Sequence, residues 1–562
     1  MAAPTPFREI WNLLSAWIAR HPRWTLVLVV TLTLGPFLGK PFNMDDPLFL
    51  WIGHQIQRHP ADPYGFSVNW YGSAEPMWNV TENPPLACYY IALAAATVGW
   101  TEPALHVAFL LPAIAAVLGT YRLASRWCDR PILAACASFF TPVFLVSSMT
   151  LMSDVLMLAF WVWAVVWWIE GIDQNDFRRL LLSSLMVALA VMTKYFGVCL
   201  MPLLAAYGAI QRRSGWQTLF LIIPITALGF YQWATHALYG HGLFSYAMDY
   251  AGTARSRNLS SMAASGLTGL SFTGGCLAVV ICFAPWLWRP RFLALAAGSM
   301  VPLFLLARLL GSVLMKDLDS HLSIELQISF WAASGLTVLM LAGADLWTRR
   351  TADGWLLGLW IAGTFCFAAF VNWTANGRSI LPMAPAVGIL LVRRLQWNSS
   401  RGRTITSAGL LSGLSAGALI AVVVAAADFG YATAVRRSAE QADARYGRKN
   451  ATLWFEGHWG FQYYLEKSGA LPFDVKRSLL KPGDALVLPD NNTSLYPVND
   501  AVMSKLESFS VPGPWLVTTW NEKAGAGFYA AAGGPVPFVF GSIPPETVTA
   551  YQLKPSALPA AK

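Results

Sequence analysis

The sequence predicts an α-helical polytopic membrane protein with about thirteen transmembrane helices and a C-terminal α/β domain on the outer side. Of its 562 residues, 56% are hydrophobic and 12% are charged, about half the charged fraction of a soluble domain. Apolar runs such as residues 24–38, 104–118 and 410–427 are long enough to approach or cross a hydrocarbon core about 30 Å thick. Many of the 26 Trp and 18 Tyr lie at the ends of such runs, as in interfacial aromatic belts.

Apolar runs and basic loops together give the order and direction of the helices. The predicted segments are 24–40, 104–121, 131–148, 153–170, 180–193, 196–210, 216–236, 271–288, 292–311, 327–345, 355–372, 379–392 and 405–427. On this threading every cytoplasmic turn is basic, from Arg122 to Arg403, as the positive-inside rule requires. The first apolar run follows Arg20 and Arg23 without a convincing cleavage site and is interpreted as a retained helix.

Two further segments are predicted to lie at the outer interface. Residues 84–100 are short for a span, and counting them as one would invert every later basic loop. Residues 47–58 are amphipathic, which is typical of an interfacial helix. Both segments belong to an outer loop of about residues 41–103.

The composition divides the chain into two predicted domains. Residues 1–428 form the transmembrane domain, and residues 429–562 form a more polar outer domain. Within this outer domain, residues 446–467 are predicted to be helical, and 485–488, 515–520 and 537–540 to be strands. No internal repeat is evident.

Charge and cysteine usage exclude several classes of function. The net charge of +9 is spread over short loops between apolar runs, so a nucleic-acid partner is not expected. The seven Cys lie in or beside apolar segments without metal-ligand spacing, and we interpret them as small buried apolar residues. No phosphate-binding loop or dinucleotide-binding glycine motif occurs in its required context, so the sequence offers no support for cytoplasmic ATP as an energy source.

Four acidic residues are the candidates for chemistry on the outer side. Asp45 and Asp46 follow the first helix, and Pro47 suits the first turn of a helix, with Asp46 as its N-cap. Glu82 precedes two prolines and an apolar helix, whose N-terminus favours an anion such as phosphate. Asp154 opens another apolar run. For each acid, a helix start or cap without further function is the alternative.

Two cations stand on the side of the membrane that the positive-inside rule disfavours. Lys194 interrupts two short apolar runs, and Arg378 begins a descending helix. An anionic ligand would explain each of them, and contact with lipid phosphate is the alternative. Arg255 and Arg257 are weaker candidates in a long outer loop, and His241 is interpreted as a surface residue.

The order of these motifs resembles a known family. The aspartates after the first helix are followed by ENPPLACYYIAL (82–93), TLMSDVLMLAFW (150–161), MTKYFG (192–197) and NGRSILPMAPA (376–386). Together they resemble the protein O-mannosyltransferase superfamily, and in particular its bacterial members related to the lipid A aminoarabinose transferases. The resemblance covers residues 1–430 loosely and the C-terminal part only in outline.

This resemblance implies the GT-C fold and a membrane glycosyltransferase. Such an enzyme moves a sugar from a polyprenyl-phosphate donor to a hydroxyl of a glycan, lipid or protein acceptor on the outer face, with inversion. By resemblance Asp45 is the general base, Asp46 is its structural or electrostatic partner, and Lys194 and Arg378 stabilise the leaving phosphate.

The other implied site residues surround these four. Arg58 lies behind the two cations, while Asn83 and Tyr195 stand beside them in the motifs as substrate-binding residues. Asp154 and Glu82 are implied to shape the site or to contact a metal ion. Glu82 is also the candidate ligand for a divalent metal ion, the one cofactor that the resemblance suggests.

The chain departs from the pattern of the aminoarabinose transferases at two positions. They carry a lysine directly after the acid that matches Glu82 and an arginine three residues after the one that matches Asp45; here these are Asn83 and Leu48. This difference argues against lipid A as the acceptor. The implied location is the bacterial inner (plasma) membrane, with the site facing the periplasm and membrane lipids around it.

Two other classes of function are alternatives to a glycosyltransferase. A transporter or flippase of a lipid-linked sugar would also have many helices, but it usually binds its substrate near the midplane of the membrane. A non-catalytic anchor that presents the C-terminal domain would not require acids and cations beside interfacial helices.

Overall fold

The computed structural model describes residues 16–81, 83–212, 215–257, 262–315, 321–447 and 451–554. Within these residues, seven helices are long and apolar enough to cross a membrane, and one bent pair would make an eighth. Three shorter apolar helices join them. The predicted polytopic helical membrane protein with a C-terminal strand-containing domain is therefore confirmed.

The helices of the first half follow the chain in the order of the predicted segments. They are α1 (Pro22–Leu34), α2 (Asp46–Arg58), α3 (Met77–Val80), α4 (Leu86–Val98), α5 (Glu102–Ala124), α6 (Pro131–Phe139), α7 (Pro142–Ser148), α8 (Asp154–Gln174), α9 (Phe177–Thr193), α10 (Leu200–Ile210), α11 (Ile222–Tyr239) and α12 (Leu243–Arg257). The 3₁₀ turns Tyr195–Cys199 and Trp216–Leu221 precede α10 and α11.

The helices of the second half continue to the C-terminal domain. They are α13 (Met262–Cys276), α14 (Val279–Cys282), α15 (Ala284–Leu287), α16 (Pro290–Leu309), α17 (Gly311–Leu314), α18 (His321–Arg349), α19 (Ala352–Cys366), α20 (Gly377–Ile380), α21 (Met383–Ser399) and α22 (Ser407–Tyr446). Each of the thirteen predicted segments thus lies on helix, although not always with the predicted limits.

The largest difference concerns the predicted segment 271–288. Helix α13 already begins at Met262 and ends at Cys276, and two single turns follow it. Gly274 brings the backbones of α13 and α18 together, because a β-carbon there would lie 1.9 Å from the carbonyl oxygen of Trp331. Such small residues allow close helix packing in membranes. An apolar run gives no periodicity from which this break can be recognised.

The two segments predicted to be interfacial are both helices. Helix α4 has 13 residues and is therefore about 20 Å long, well short of a core about 30 Å thick. It packs against α2, where a β-carbon at Gly53 would lie 3.3 Å from Ile91. Between α2 and α4 the chain forms a hairpin of β1 (Ser67–Asn69) and β2 (Ala74–Pro76). Their placement at the interface stays a prediction.

The basic turns predicted to be cytoplasmic meet acidic partners at one end of the bundle. Arg122 at the end of α5 and Arg179 at the start of α9 both pair with Glu170 near the end of α8, each at 2.8 Å. The buried Arg393 on α21 pairs with Asp345 near the end of α18 at 2.8 Å. These helix ends therefore lie together, as the threading requires.

The C-terminal region combines a mixed sheet with one helix. The strands are β3 (Leu453–Phe455), β4 (Leu471–Pro472), β5 (Ala485–Pro489), β6 (Met503–Val511), β7 (Val517–Thr518), β8 (Trp520–Asn521), β9 (Ala526–Gly527), β10 (Val539–Phe540) and β11 (Glu546–Leu553), with α23 (Trp459–Ser468) after β3. Five strands form one sheet in the order β4–β3–β5–β11–β6, in which β4, β3 and β5 are parallel. Two antiparallel ribbons, β7–β10 and β8–β9, stand apart from it.

The start of the C-terminal region differs from the sequence prediction. The helix predicted over 446–467 is wrong in its first half, because α22 ends at Tyr446 and the strand β3 follows. Helix α22 is also continuous across the predicted domain boundary at residues 428 and 429. The division into domains 1–428 and 429–562 stays a prediction. All seven cysteines are free, and Cys366 is exposed rather than buried.

Candidate active site

Asp45 and Asp46 stand at the start of α2, but they occupy different environments. Asp45 is the N-cap residue, and its side chain makes no capping hydrogen bond. Asp46 is fully buried; its Oδ2 accepts a hydrogen bond from the backbone N–H of Asn43 at 3.1 Å, and its Oδ1 accepts one from Leu151 N–H at 2.8 Å. The prediction that Asp46 is the N-cap is therefore wrong. Its carboxyl instead ties the turn before α2 to the loop before α8.

Burial dominates the electrostatics of Asp46. Removal from water raises the pKa of its carboxyl to about 7, although Lys40 and the two backbone N–H donors oppose this effect. Asp45, by contrast, has a side chain that is 34% exposed. Of the two carboxylates, Asp45 is thus the one that a ligand can reach.

Arg378 pairs with Asp45. Its Nη1 lies 3.1 Å from Asp45 Oδ2. It belongs to the short helix α20, where the Asn376 side chain accepts the Ser379 N–H at 2.8 Å. Gly377 allows the C-terminal domain to approach, because a β-carbon there would lie 2.6 Å from the ring of Phe528. The N–H of Gly377 also donates to the Phe528 carbonyl at 2.7 Å, which fixes α20.

Lys194 pairs with Asp154. The Lys194 Nζ lies 2.6 Å from Asp154 Oδ1, and Asp154 is fully buried as the first residue of α8. Lys194 follows the last turn of α9 as its C-cap residue. The N-cap residue of α8 is Ser153 rather than Asp154, and Asp154 contacts a lysine 40 residues away, so the simple cap interpretation does not describe it.

The two ion pairs belong to one cluster. Burial alone would lower the pKa of the Arg378 guanidinium, but Asp45 and Asp154 outweigh it and raise this pKa. Arg378 is thus close to both carboxylates, and Lys194 joins through Asp154. Two buried polar atoms of this cluster, Arg378 Nε and Asp154 Oδ2, have no hydrogen-bond partner in the described structure. Buried polar groups are usually paired, so each of these atoms has room for one more hydrogen bond, to water or to a polar ligand.

The other predicted site residues lie around or away from this cluster. Arg58 is the last residue of α2 and is exposed, about 18 Å along the helix axis from Asp46, so it does not join the two cations. The ring of Tyr195 lies 6.4 Å from that of Tyr231. Asn83 accepts a hydrogen bond on its carbonyl from the Tyr64 hydroxyl at 2.7 Å. Glu82 lies outside the described residues.

A second buried network was not predicted from the sequence. Lys40, after α1, contacts Asp428 of α22 at 2.5 Å, and both residues are 1% exposed. The Thr519 hydroxyl donates to Asp428 Oδ1 at 2.6 Å, and the Tyr529 hydroxyl does so at 2.9 Å. The ring of Tyr529 lies 5.9 Å from the Arg378 guanidinium carbon. The C-terminal domain therefore supplies a wall of the cluster.

The same domain also holds the turn that carries Asp45. The backbone N–H of Phe42 donates to the Tyr464 hydroxyl at 2.9 Å, and Gly460 N–H donates to the Asn43 side chain at 3.2 Å. Met44, one residue before Asp45, has φ +50°, a conformation that a non-glycine residue adopts only when its surroundings enforce it. The contacts from α23 supply that constraint.

The sequence suggested Glu82 as the candidate ligand of a divalent metal ion. Within the described residues, no group of three or more His, Cys, Asp or Glu side chains is placed to hold a metal ion. Asp45 and Asp154 each face a basic side chain.

Comparison with solved structures finds similar chains at low sequence identity. The oligosaccharyltransferase of Archaeoglobus fulgidus, tethered to an acceptor peptide, is 12% identical with a TM-score of 0.48; the alignment covers 82% of this chain and 64% of that one. ArnT from Cupriavidus metallidurans bound to undecaprenyl phosphate is 13% identical with a TM-score of 0.43, over 84% and 93% of the two chains. Among curated proteins, none matches this sequence.

A family comparison gives a more direct result. Residues 82–239 match the sequence model of the dolichyl-phosphate-mannose-protein mannosyltransferase family. This segment contains Asn83, Asp154, Lys194 and Tyr195. The match confirms, over these residues, the resemblance to the protein mannosyltransferase superfamily that the motifs predicted.

Proposed function

We propose that this protein is an inverting glycosyltransferase that moves a sugar from a polyprenyl-phosphate donor to an acceptor hydroxyl on the outer face of the membrane. One observation carries the proposal: a reachable carboxylate, Asp45, lies 3.1 Å from a basic group, Arg378, within a cluster that also holds Lys194. Transfer of a sugar from a phosphate ester to a hydroxyl requires a base and an anion-binding group side by side.

In the proposed reaction, the carboxylate and the two basic residues have different roles. The acceptor oxygen attacks the anomeric carbon while its proton passes to a carboxylate oxygen of Asp45. The bond between this carbon and the phosphate oxygen breaks, and its electron pair leaves with the polyprenyl phosphate. Lys194 and Arg378 stabilise the charge that develops there. A single displacement inverts the anomeric centre and forms no sugar–enzyme bond.

The ion pairs suggest how the site responds to its donor. A phosphate group competes with Asp45 for Arg378, because guanidinium groups bind phosphate and carboxylate in the same bidentate manner. The unpartnered Arg378 Nε offers a further donor to that phosphate. Donor binding then releases Asp45 from its ion pair and makes it available to the acceptor. Asp46 stays in place, because backbone N–H groups rather than Arg378 hold it.

Helix length supports placement of the site at the outer face. Asp428 borders the cluster through Tyr529 and lies 21 residues after Ser407, the first residue of α22. A helix of that length rises about 32 Å, close to the thickness of the hydrocarbon core. The basic residues Arg401 and Arg403 precede the other end of α22, which the positive-inside rule assigns to the cytoplasm.

The match to the mannosyltransferase family supports the class of donor, since dolichyl-phosphate-mannose is a polyprenyl-phosphate sugar. The position of the cluster also separates this proposal from a transporter or flippase of a lipid-linked sugar. Such a protein would be expected to bind its substrate near the midplane, whereas the cluster lies at the start of α8 and the end of α9, and about 32 Å along α22 from its first residue.

A panel of polyprenyl-phosphate sugars tests the proposal. The protein, reconstituted in liposomes, is incubated with each donor and with a membrane extract that supplies acceptor hydroxyls, and loss of sugar from the carrier is followed by mass spectrometry of the lipid. We expect one donor to release free polyprenyl phosphate. Movement of an intact donor across the bilayer, without cleavage of any donor in the panel, would instead identify a flippase.

A second experiment measures donor binding in two arginine variants, one at the site and one matched control. Arg378→Gln should weaken binding of a polyprenyl phosphate about 10- to 150-fold, the value of one hydrogen bond to a charged group. Arg445→Gln removes an arginine that pairs with Glu507 in the C-terminal domain, and it should leave binding unchanged. Equal affinities for the two variants would contradict the role of Arg378.

A further inference from the structure

The β7–β10 ribbon of the C-terminal domain exposes apolar side chains. Trp515 and Leu516, directly before β7, are 76% and 49% exposed, and Phe540 of β10 is 38% exposed. The two arms of this ribbon, residues 511–519 and 534–545, contain no charged residue. Soluble domains rarely present such a neutral apolar edge to water, and this one suggests a partner of apolar character.

The contact between the ribbon and α18 gives a first estimate of how far the ribbon lies from the basic end of the bundle. Phe540 N–H donates to the Gln327 side chain at 2.8 Å, and the same side chain donates to the Phe540 carbonyl at 3.0 Å. Gln327 precedes Arg349, the last residue of α18, by 22 residues. The ribbon is therefore about 33 Å along the helix from the basic end.

Helix α22 gives a second, independent estimate. Pro514 packs against Gly430, where a β-carbon would lie 3.7 Å from the proline ring. Gly430 lies 23 residues after Ser407, which corresponds to about 35 Å. A typical helix tilt of about 20° makes the height across the membrane slightly smaller than these two distances along the helices. Because the apolar core is about 30 Å thick, the ribbon is then at the level of the outer head groups.

The surface beside the ribbon is also apolar. A groove of about 420 Å³ runs below it and is lined by Met300, Leu326, Phe330, Ile420 and Phe540, among others. Leu326 and Phe330 are exposed on α18, a candidate membrane span. The exposed edge of the ribbon thus continues directly into the lipid-facing surface of the bundle.

From these observations we infer that the β7–β10 ribbon binds the lipid bilayer, with Trp515 and Leu516 inserted at the boundary between head groups and acyl chains. Tryptophan favours this position because its ring is apolar and its N–H is polar. The contact fixes the C-terminal domain against the membrane surface, in addition to its covalent link through α22.

A matched pair of leucines tests this inference. Leu506 of β6 is 40% exposed, similar to Leu516, but its neighbour Glu507 pairs with Arg445, which lies 15 residues beyond Gly430 on α22. Leu506 is therefore about 22 Å farther from the membrane. Leu516→Cys and Leu506→Cys would each carry a nitroxide spin label. The full-length background lacks the three cysteines that are not fully buried, Cys199, Cys282 and Cys366.

The labelled proteins are reconstituted in liposomes of phosphatidylethanolamine and phosphatidylglycerol, and the accessibility of each label to oxygen and to a soluble nickel chelate is measured. Oxygen concentrates in lipid and the chelate in water. We expect the ratio of oxygen to nickel accessibility to shift clearly toward oxygen at position 516 and to stay water-like at position 506.

Two results would overturn the inference. If position 516 is as accessible to nickel as position 506, the ribbon faces water. If position 516 is shielded from both reagents, it is covered by protein rather than by lipid. Trp515→Cys gives a second position on the same edge, with the same expected result, should Leu516→Cys fail to fold.

Discussion

Asp45→Asn separates the chemical role of Asp45 from its structural role. The substitution preserves the size of the side chain but removes the basic oxygen that would accept the proton of the acceptor. General-base catalysis typically contributes about 10²- to 10⁴-fold to the rate, so turnover should fall by that factor. This corresponds to about 2.7–5.5 kcal/mol in the activation barrier.

The structure indicates that this loss would not reflect unfolding. Asp45 makes no capping hydrogen bond, and its one ion pair, with Arg378, joins partly exposed side chains. Pairs of this kind contribute about 0–1 kcal/mol to stability. Binding of the donor phosphate should also persist, because Arg378 and Lys194 are unchanged.

Asp46→Asn is the matched control. Both oxygens of Asp46 accept backbone N–H groups in a fully buried position. An amide there would place an NH₂ group against one of these donors and leave it unsatisfied, at a cost of about 1–3 kcal/mol in the free energy of unfolding. Asp46→Asn should therefore reduce stability more than Asp45→Asn does, and turnover less.

The assay measures single-turnover release of sugar from a donor already shown to react, together with thermal unfolding of both variants in detergent. Near-normal turnover of Asp45→Asn would refute its role as the base. Asp154 would then be the next carboxylate to examine. A large loss of stability in Asp45→Asn would contradict the structural argument instead.

Three other substitutions test the surroundings of the cluster. Lys194→Met should destabilise the protein by up to about 3–5 kcal/mol in chemical denaturation, because the buried Asp154 loses its ion-pair partner and keeps only the nearby Arg378 as a compensating charge. Little change would mean that Arg378 or water compensates Asp154 without Lys194. Tyr529→Phe removes a hydrogen bond to the buried Asp428 and should cost about 1.5–3 kcal/mol in the same measurement. Gly377→Ala would require the Phe528 ring to move by several tenths of an ångström, and the neighbouring Arg378 would be displaced with it. Turnover should therefore fall by up to roughly 10²-fold, with little effect on expression. Normal turnover would show that this contact does not position the site.

The helical part of the fold was predictable because lipid imposes a simple pattern. Long apolar runs interrupted by basic turns are compatible with few architectures besides a bundle of membrane helices, and each predicted segment is helical in the structure. The limits of the helices were less predictable. The break after Cys276 lies next to a close contact between the backbones of α13 and α18, and a uniformly apolar run encodes neither feature.

The strand β3 shows the same limitation in the C-terminal domain. Leu453–Phe455 was predicted as part of a helix, but it pairs in parallel with β4 and β5. Those partners lie about 17 and 32 residues farther along the chain, so local periodicity carries no record of the pairing.

For the candidate site, too, the local sequence indicated which residues matter but not which of them come into contact. Asp45, Asp154, Lys194 and Arg378 were identified because charged residues in apolar surroundings rarely lack a function. Which acid meets which cation was not predictable, since Asp45 and Arg378 are 333 residues apart. Tyr529 gave no signal at all, because a tyrosine in a polar domain is ordinary.

The position of Tyr529 changes how the C-terminal domain should be regarded. An outer domain that only covered the bundle would contact loops and leave the cluster to the helices. Here Tyr529 faces Arg378 and bonds Asp428, while α23 holds the turn before Asp45 through Phe42 and Asn43. The proposed base and its cation are thus both fixed from the same side. We therefore expect the proposed site to depend on docking of the C-terminal domain against the helices that carry Asp45 and Arg378.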